Sequence, residues 1–167
     1  MINALFAVDY YGGMGLNGTL PWPIDNFHTS DFDNFTKGHI VVMGRRTWDY
    51  HIATTVPNQR IYYVASSKPI STAHAINGDL IAEVLELELQ HQDKIIWIAG
   101  GAQLIEKFKD TLDNIYVNHK RGSYKNDTKI DLKSFLTGFF PVKAEVSRDY
   151  TSTLINYKPI FKRNTNL

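Results

Sequence analysis

An α/β fold, with a mainly parallel sheet closed at one edge by an antiparallel C-terminal hairpin, is what this sequence predicts. Three observations carry it. Two short apolar runs, Ile40-Val41-Val42-Met43 and Lys94-Ile95-Ile96-Trp97-Ile98-Ala99, have the length and β-branched content of strands buried on both faces, and each ends in glycine. Strand-like and helix-like segments alternate along most of the chain. The tail carries two further strand candidates, near Lys143 to Ser147 and Leu154 to Phe161, broken at Asp149-Tyr150-Thr151-Ser152.

In chain order, the first strand is Ile2 to Val8. Asp9 to Thr19 follows as a loop with four glycines, and loops of that length inside a compact domain tend to be functional. The prolines of Leu20-Pro21-Trp22-Pro23 restrict the backbone after it. A helix is expected from about Phe27 to Thr36, with Phe27, Phe32 and Phe35 as its apolar set. The Ile40–Met43 strand leads through Gly44 into a helix near Arg45 to His51, and Thr54 to Gln59 reads as a turn. Arg60 to Ala65 is a strand closed by Ser66-Ser67-Lys68-Pro69, with a short strand at Ala73 to Ile76. Asn77 or Asp79 caps a helix running to about Gln90, on which Leu80, Ile81, Val84 and Leu85 share a face. After the Lys94–Ala99 strand and Gly100-Gly101, Ala102 to Lys109 is a helix and Ile115 to Asn118 a strand.

Composition narrows the function classes. The length of 167 residues fits one domain over 1–167, with chain enough for a core. Apolar residues at 43% and charged residues at 21% are ordinary for a soluble globular protein. A net charge of +1 offers no basic surplus for nucleic acid. The absence of cysteine excludes disulfides, thiol catalysis and cysteine zinc sites. Six histidines at 28, 39, 51, 74, 91 and 119 show no metal-ligand spacing, so no metal is expected. The N-terminal segment has neither a basic leader nor an apolar run long enough for a membrane span. The expectation is a cytoplasmic monomer with a small-molecule substrate, not a nucleic-acid or membrane partner.

The chemistry is concentrated at two strand–glycine–helix junctions, Met43-Gly44-Arg45 and Ala99-Gly100-Gly101. Unpaired N–H groups at a helix start bind anions, glycine admits a phosphate closely, and Arg45 and Arg46 add charge. Taken alone, a strand–helix junction with two solvated arginines accounts for Gly38 to Trp48 almost as well. Neither junction matches the Gly-x-Gly-x-x-Gly dinucleotide fingerprint, and there is no Walker lysine.

Taken together, the motifs resemble the dihydrofolate reductase family over nearly the whole chain. The resemblance rests on Ala7, Met14-Gly15 through Leu20-Pro21-Trp22, Val42-Met43-Gly44-Arg45-Arg46-Thr47-Trp48, and Pro57-Asn58 with Arg60. Ser66-Ser67, Ile98 with Gly100-Gly101, and Asp127-Thr128 follow in order. Leu-Pro-Trp after a glycine-rich loop, with Met-Gly-Arg-x-Thr-Trp, is the specific pair. The resemblance implies a twisted, mainly parallel eight-stranded sheet with flanking helices. It also implies reduction of 7,8-dihydrofolate with NADPH in one-carbon metabolism.

The same resemblance assigns expected roles. The Gly12–Thr19 loop would close over the nicotinamide, with the backbone near Ala7, Met14 and Gly15 at its carboxamide. Gly44, Arg45, Arg46 and Thr47 would hold phosphates, with Gly100, Gly101, Ala102 and Gln103 at the second junction. Arg45, with Ser66 and Ser67 or Lys68, would bind the 2′-phosphate that distinguishes NADPH from NADH. Arg60 would pair with the glutamate tail of the substrate. Leu5, Phe32, Ala99 and Asn118, with Ile52 or Val56, would line the pterin pocket. The bland readings are core aromatics for Trp22, Trp48 and Phe32, and a solvated rim charge for Arg60.

The family's carboxylate on the helix after Leu-Pro-Trp has no single counterpart. A gap-free match aligns Phe32 and Thr36 with the family's phenylalanine and threonine and puts His28 at the acid position. A second register uses Asp31 with Phe35. An imidazole cannot copy a carboxylate's two-pronged contact, so His28 in position with Asp31 one turn on is a third arrangement. Ile105 stands for a tyrosine, Ala99 for a larger aliphatic residue and Asn118 for a threonine. The cofactor half is kept and the pterin half has drifted. The alternatives are a same-fold NADPH reductase of another pterin or a pyrimidine, and a non-catalytic nucleotide- or folate-binding relative.

Overall fold

The computed structural model describes residues 1–23, 26–54 and 59–161, with the backbone alone at 26–30 and 51–54. Its centre is β1, Ile2–Val8, in which all seven residues are buried. β1 lies parallel between β6 (Ile96–Ile98) and β7 (Asn114–Lys120). Parallel pairing continues from β6 to β3 (Ile40–Gly44), β4 (Ile61–Ala65) and β5 (His74–Ile76). On the other side β10 (Ser152–Pro159) runs antiparallel to β7 and to β9 (Phe139–Val146). The sheet therefore has eight strands in the order β5-β4-β3-β6-β1-β7-β10-β9, mainly parallel with an antiparallel C-terminal hairpin.

Because side chains alternate across a strand, each central strand feeds two cores. Ile2, Ala4, Phe6 and Val8 join Val42, Ile98 and Val117 on one face. There they meet α3 (Leu80–Gln90) and α4 (Ala102–Lys107) through Val84, Leu87, Leu104 and Ile105. Leu5, Val41, Met43, Val64 and Trp97 point to the other face, where Trp48 of α2 (Arg45–Thr54) and Phe32 and Phe35 of α1 (Asn26–Thr36) cover them. Trp48 packs on Tyr62 with ring centroids 5.0 Å apart, a core aromatic. Asp79 is the cap of α3, accepting from the N–H groups of Ile81 and Ala82.

Several boundaries differ from those read in the sequence. The glycine-rich loop contains β2 (Gly13–Gly15), paired antiparallel with β8 (Thr128–Lys129). A four-residue helix, α5 (Leu132–Phe135), is capped by Asp131 and too short to show a period. β6 spans three residues rather than six. β9 begins at Phe139, earlier than expected, because an edge strand with mostly exposed residues has no apolar alternation to mark its start. β10 correspondingly begins at Ser152 and ends at Pro159. Of the turn expected at Thr54 to Gln59, residues 55–58 lie outside the described residues.

Candidate active site

The two junctions meet at the carboxyl ends of β3 and β6. The Gly44 N–H donates to the Gly100 carbonyl at 3.0 Å. Gly100 and Gly101 are joined by a cis peptide bond, and Gly100 holds φ +143°. A Cβ at Gly100 would stand 2.9 Å from Thr47 Cγ2, so this position requires glycine for both conformation and space. α2 starts at Arg45 and directs its first N–H groups into the same opening. Arg45 and Arg46 are exposed, and Arg45 Nε donates to Asp49 Oδ1 at 2.8 Å. Gly44 pairs in register with Ala65, which brings Ser66 beside the start of α2. The Ser66 hydroxyl is engaged locally with the backbone of Lys68, and Ser67 is exposed. At the second junction Ala102 is buried and Gln103 exposed. This assembly of glycines, a helix start and arginines can take a phosphorylated ligand along the sheet edge.

A second group of residues lines the sheet face beneath α1. Register places Leu5 opposite Tyr116 and Ala7 opposite Asn118. Phe35 packs on Tyr116 and Trp97 with centroids 4.8 and 5.5 Å away, which turns one side of α1 toward the sheet. Asp31 is one helical turn before Phe35 and so faces the same way. Its Oδ2 accepts from Asn118 Nδ2 at 3.4 Å. Ala99 and Phe32 border the same core. The His28 side chain and those of Ile52 and Val56 lie outside the described residues. Ile105 is fully buried in the opposite core.

Arg60 closes the outer end of α1. Its Nε donates to Thr36 Oγ1 at 2.6 Å, its guanidinium lies 5.1 Å above the Phe32 ring, and Nη2 is paired with Asp33. Thr36 in turn donates to the Phe32 carbonyl. Phe32, Thr36 and Arg60 thus form one unit, while Asp31 and Phe35 face the sheet. A helix turns its side chains about 100° per residue, so both patterns coexist on α1.

The glycine-rich loop is held down by carboxylates that the sequence did not single out for this task. Asp9, buried at 2% exposure, accepts from the N–H groups of Tyr11, Gly13 and Tyr124 at 2.8 to 2.9 Å. Burial pushes its pKa up, but these three N–H groups and the Lys129 charge outweigh it and hold the carboxyl below the usual value. Asp127 Oδ2 accepts from Asn17 N–H at 2.7 Å, and the Asp127 N–H donates to the Gly15 carbonyl. The Asn17 and Thr128 donors lower the Asp127 pKa. Trp22, at 4% exposure, packs edge-on against Tyr124, which ties the end of the loop to the β7–β8 connection. An aspartate followed two and four residues later by backbone donors is the one local signal for Asp9.

The family model described as dihydrofolate reductase matches residues 1–151. The viral dihydrofolate reductase of Saimiriine herpesvirus 2 is 29% identical over 158 residues, covering 81% of this chain and 72% of its own. The dihydrofolate reductase of Staphylococcus aureus is 27% identical over 127 residues, 76% of each chain. A solved dihydrofolate reductase from Enterococcus faecalis, complexed with NADP(H) and RAB-propyl, shares the fold. It superposes with TM-score 0.76 at 22% identity, over 96% of this chain and 97% of that one.

Proposed function

The chain belongs to the dihydrofolate reductase family, NADPH-dependent oxidoreductases that reduce 7,8-dihydrofolate to 5,6,7,8-tetrahydrofolate, and we infer that it performs this reaction with Asp31 as the carboxylate that holds the pterin. One observation carries the assignment. Asp31 is on the sheet-facing side of α1 and touches Asn118, over the face lined by Leu5 and Ala7.

When bound, NADPH supplies the hydride. The glycine cradle fits it, because Gly44 and Gly101 carry no side chain at the junction and the nearest atoms to where their Cβ would be stand 3.7 Å away, which leaves the backbone open to close approach. The Gly44 and Thr47 region and the α2 start hold its phosphates, Gly101, Ala102 and Gln103 border it, and Arg45 and Arg46 supply charge. Arg45 with Ser66 and Ser67 selects the 2′-phosphate. Ala7, Met14 and Gly15 border the nicotinamide, and the loop pinned by Asp9 and Asp127 excludes water from the reacting atoms.

On the other side Leu5, Phe32 and Ala99 clamp the ring system, and Asn118 supports Asp31. Asp31 fixes the ring through paired hydrogen bonds, so that protonation accompanies reduction. Trp22 borders this pocket, and His28, on the preceding turn of α1, is the second group able to handle the proton. Arg60 takes the substrate's glutamate carboxylate in exchange for its ion pair with Asp33. The reading places the protein in the cytoplasm as a monomer with no nucleic-acid or membrane partner, feeding one-carbon metabolism and thymidylate synthesis. No helix among the described residues is long and apolar enough to cross a membrane.

The test is NADPH oxidation with 7,8-dihydrofolate across pH. Turnover is expected in the wild type, with kcat reduced on the order of 10²- to 10⁴-fold in Asp31→Asn and less in His28→Ala. A folded protein that binds NADPH without oxidising it would overturn the catalytic reading. A larger loss in His28→Ala than in Asp31→Asn would transfer the proton-handling role to His28.

A further inference from the structure

We propose that Asp33 is a specificity-determining residue: its carboxylate occupies the Arg60 guanidinium that the substrate's glutamate tail would use, so the protein takes a dihydropterin lacking that tail almost as well as 7,8-dihydrofolate. The proposal rests on the assignment of Arg60 to the tail. Arg60 is held from several sides. Nε donates to Thr36 Oγ1 at 2.6 Å, the guanidinium lies 5.1 Å above the Phe32 ring, and Nη2 is paired with Asp33. Burial raises the pKa of the Tyr62 hydroxyl above its usual value, while the Arg60 charge and a hydrogen bond from Arg60 act against it, so Arg60 reaches that hydroxyl as well. The Arg60 side chain is only 6% exposed.

These contacts differ in what they can give up. Thr36 and Tyr62 are buried, at 0% and 4% exposure, and Thr36 donates its own proton to the Phe32 carbonyl. They fix the guanidinium without help from Asp33. Of the three, Asp33 is the partner that reaches solvent, with its side chain 54% exposed, and rotation of that side chain returns it to water. A carboxylate is also what a glutamate tail brings, with the same charge and the same two acceptor oxygens. Asp33 is carried on α1, three residues before Thr36. It therefore competes at an effective concentration on the order of millimolar or above, whatever the concentration of substrate. A tail that binds without displacing it brings two anions to one cation, which also costs affinity. On either route the tail gains little, while the contacts of the ring system at Asp31 and Leu5 are the same with and without a tail.

The experiment is equilibrium binding of two probes, 7,8-dihydrofolate and 7,8-dihydropteroyl methylamide, which keeps the rings and the amide and has no carboxylate. Wild type, Asp33→Asn, Asp33→Ala and the double variant Asp33→Asn with Arg60→Leu are compared, with the thermal unfolding midpoint reporting on the fold. Wild type is expected to bind the two probes within about a factor of 3 of each other. Asp33→Asn and Asp33→Ala are expected to tighten dihydrofolate on the order of 10-fold while changing the methylamide little. Adding Arg60→Leu is expected to cancel that gain. Tightening on removal of a carboxylate is the opposite of what a supporting role gives. Weaker dihydrofolate binding in both single variants would make Asp33 a positioning residue for Arg60 and overturn the proposal. So would an equal change in both probes, no change in either, or a gain that survives Arg60→Leu. Failure of the underlying reading looks different, because neither probe would then bind the wild type.

Discussion

Single atoms decide much at the junction of Gly44 with Gly100. Gly100 combines a positive φ with contact to Thr47, so one added methyl meets two obstacles. Gly100→Ala is expected to raise the NADPH dissociation constant by at least on the order of 10-fold and to destabilise the fold by roughly 1–3 kcal/mol. Thermal unfolding with and without NADPH measures both. Thr47→Ser in that background removes Cγ2 and is expected to recover only part of the stability, since the backbone conformation stays unfavourable. Wild-type NADPH affinity in Gly100→Ala would contradict the cradle. The contact of Asn118 with Asp31 likewise rests on one pair of atoms, and it spans 87 residues of sequence.

Among the elements, the glycine-rich loop with β2 depends most on contacts outside itself. Asp9 ties its base to Tyr124 and Asp127 ties its tip, so its closed position belongs to the β7–β8 connection as much as to its own glycines. Asp9 titrates below its ordinary value of 3.8 in the folded protein. The unfolded chain then binds more protons in that interval, so the stabilisation is complete above pH 3.8 and is lost as pH falls through the lower, folded value. Asp9→Asn is expected to be less stable than wild type at neutral pH by roughly 1–3 kcal/mol. The gap should close as pH drops below 3.8, which urea unfolding at several pH values measures. A gap that holds constant into acid would show that the carboxylate charge contributes nothing.

Across the whole molecule, the site sits where the best-buried strands end. β1, β3 and β6 are covered on both faces, whereas β9 is an exposed edge carrying Phe140, Val142 and Val146 in solvent. Local opening follows burial, so amide hydrogen exchange should be slowest in β1, β3 and β6 and much faster in β9 and in the β2–β8 pair. Protection in β9 equal to that in β1 would mean that the outer edge is covered in solution. A rigid central sheet with a looser loop is the arrangement that lets ligands enter without disturbing the residues that hold them.

The sequence by itself determined the central strands, the helices between them, the two strand–glycine–helix junctions and the family resemblance. Ile40–Met43 was legible because burial on both faces writes itself as a continuous apolar run, and Ile2–Val8 because only Asn3 interrupts one. The pairing of Gly44 with Gly100 was legible only as two separate junctions, and β9 was blurred because its residues are exposed. The tertiary structure alone decided which residues of α1 face the sheet, since each residue turns a helix by about 100° and the two registers the sequence supports place the acid at different positions, 28 and 31. It also decided that Asp9 reaches Tyr124, 115 residues away, and that Asn118 meets Asp31. Such contacts leave no local pattern, because they are created by chain segments that are neighbours only after the sheet has formed.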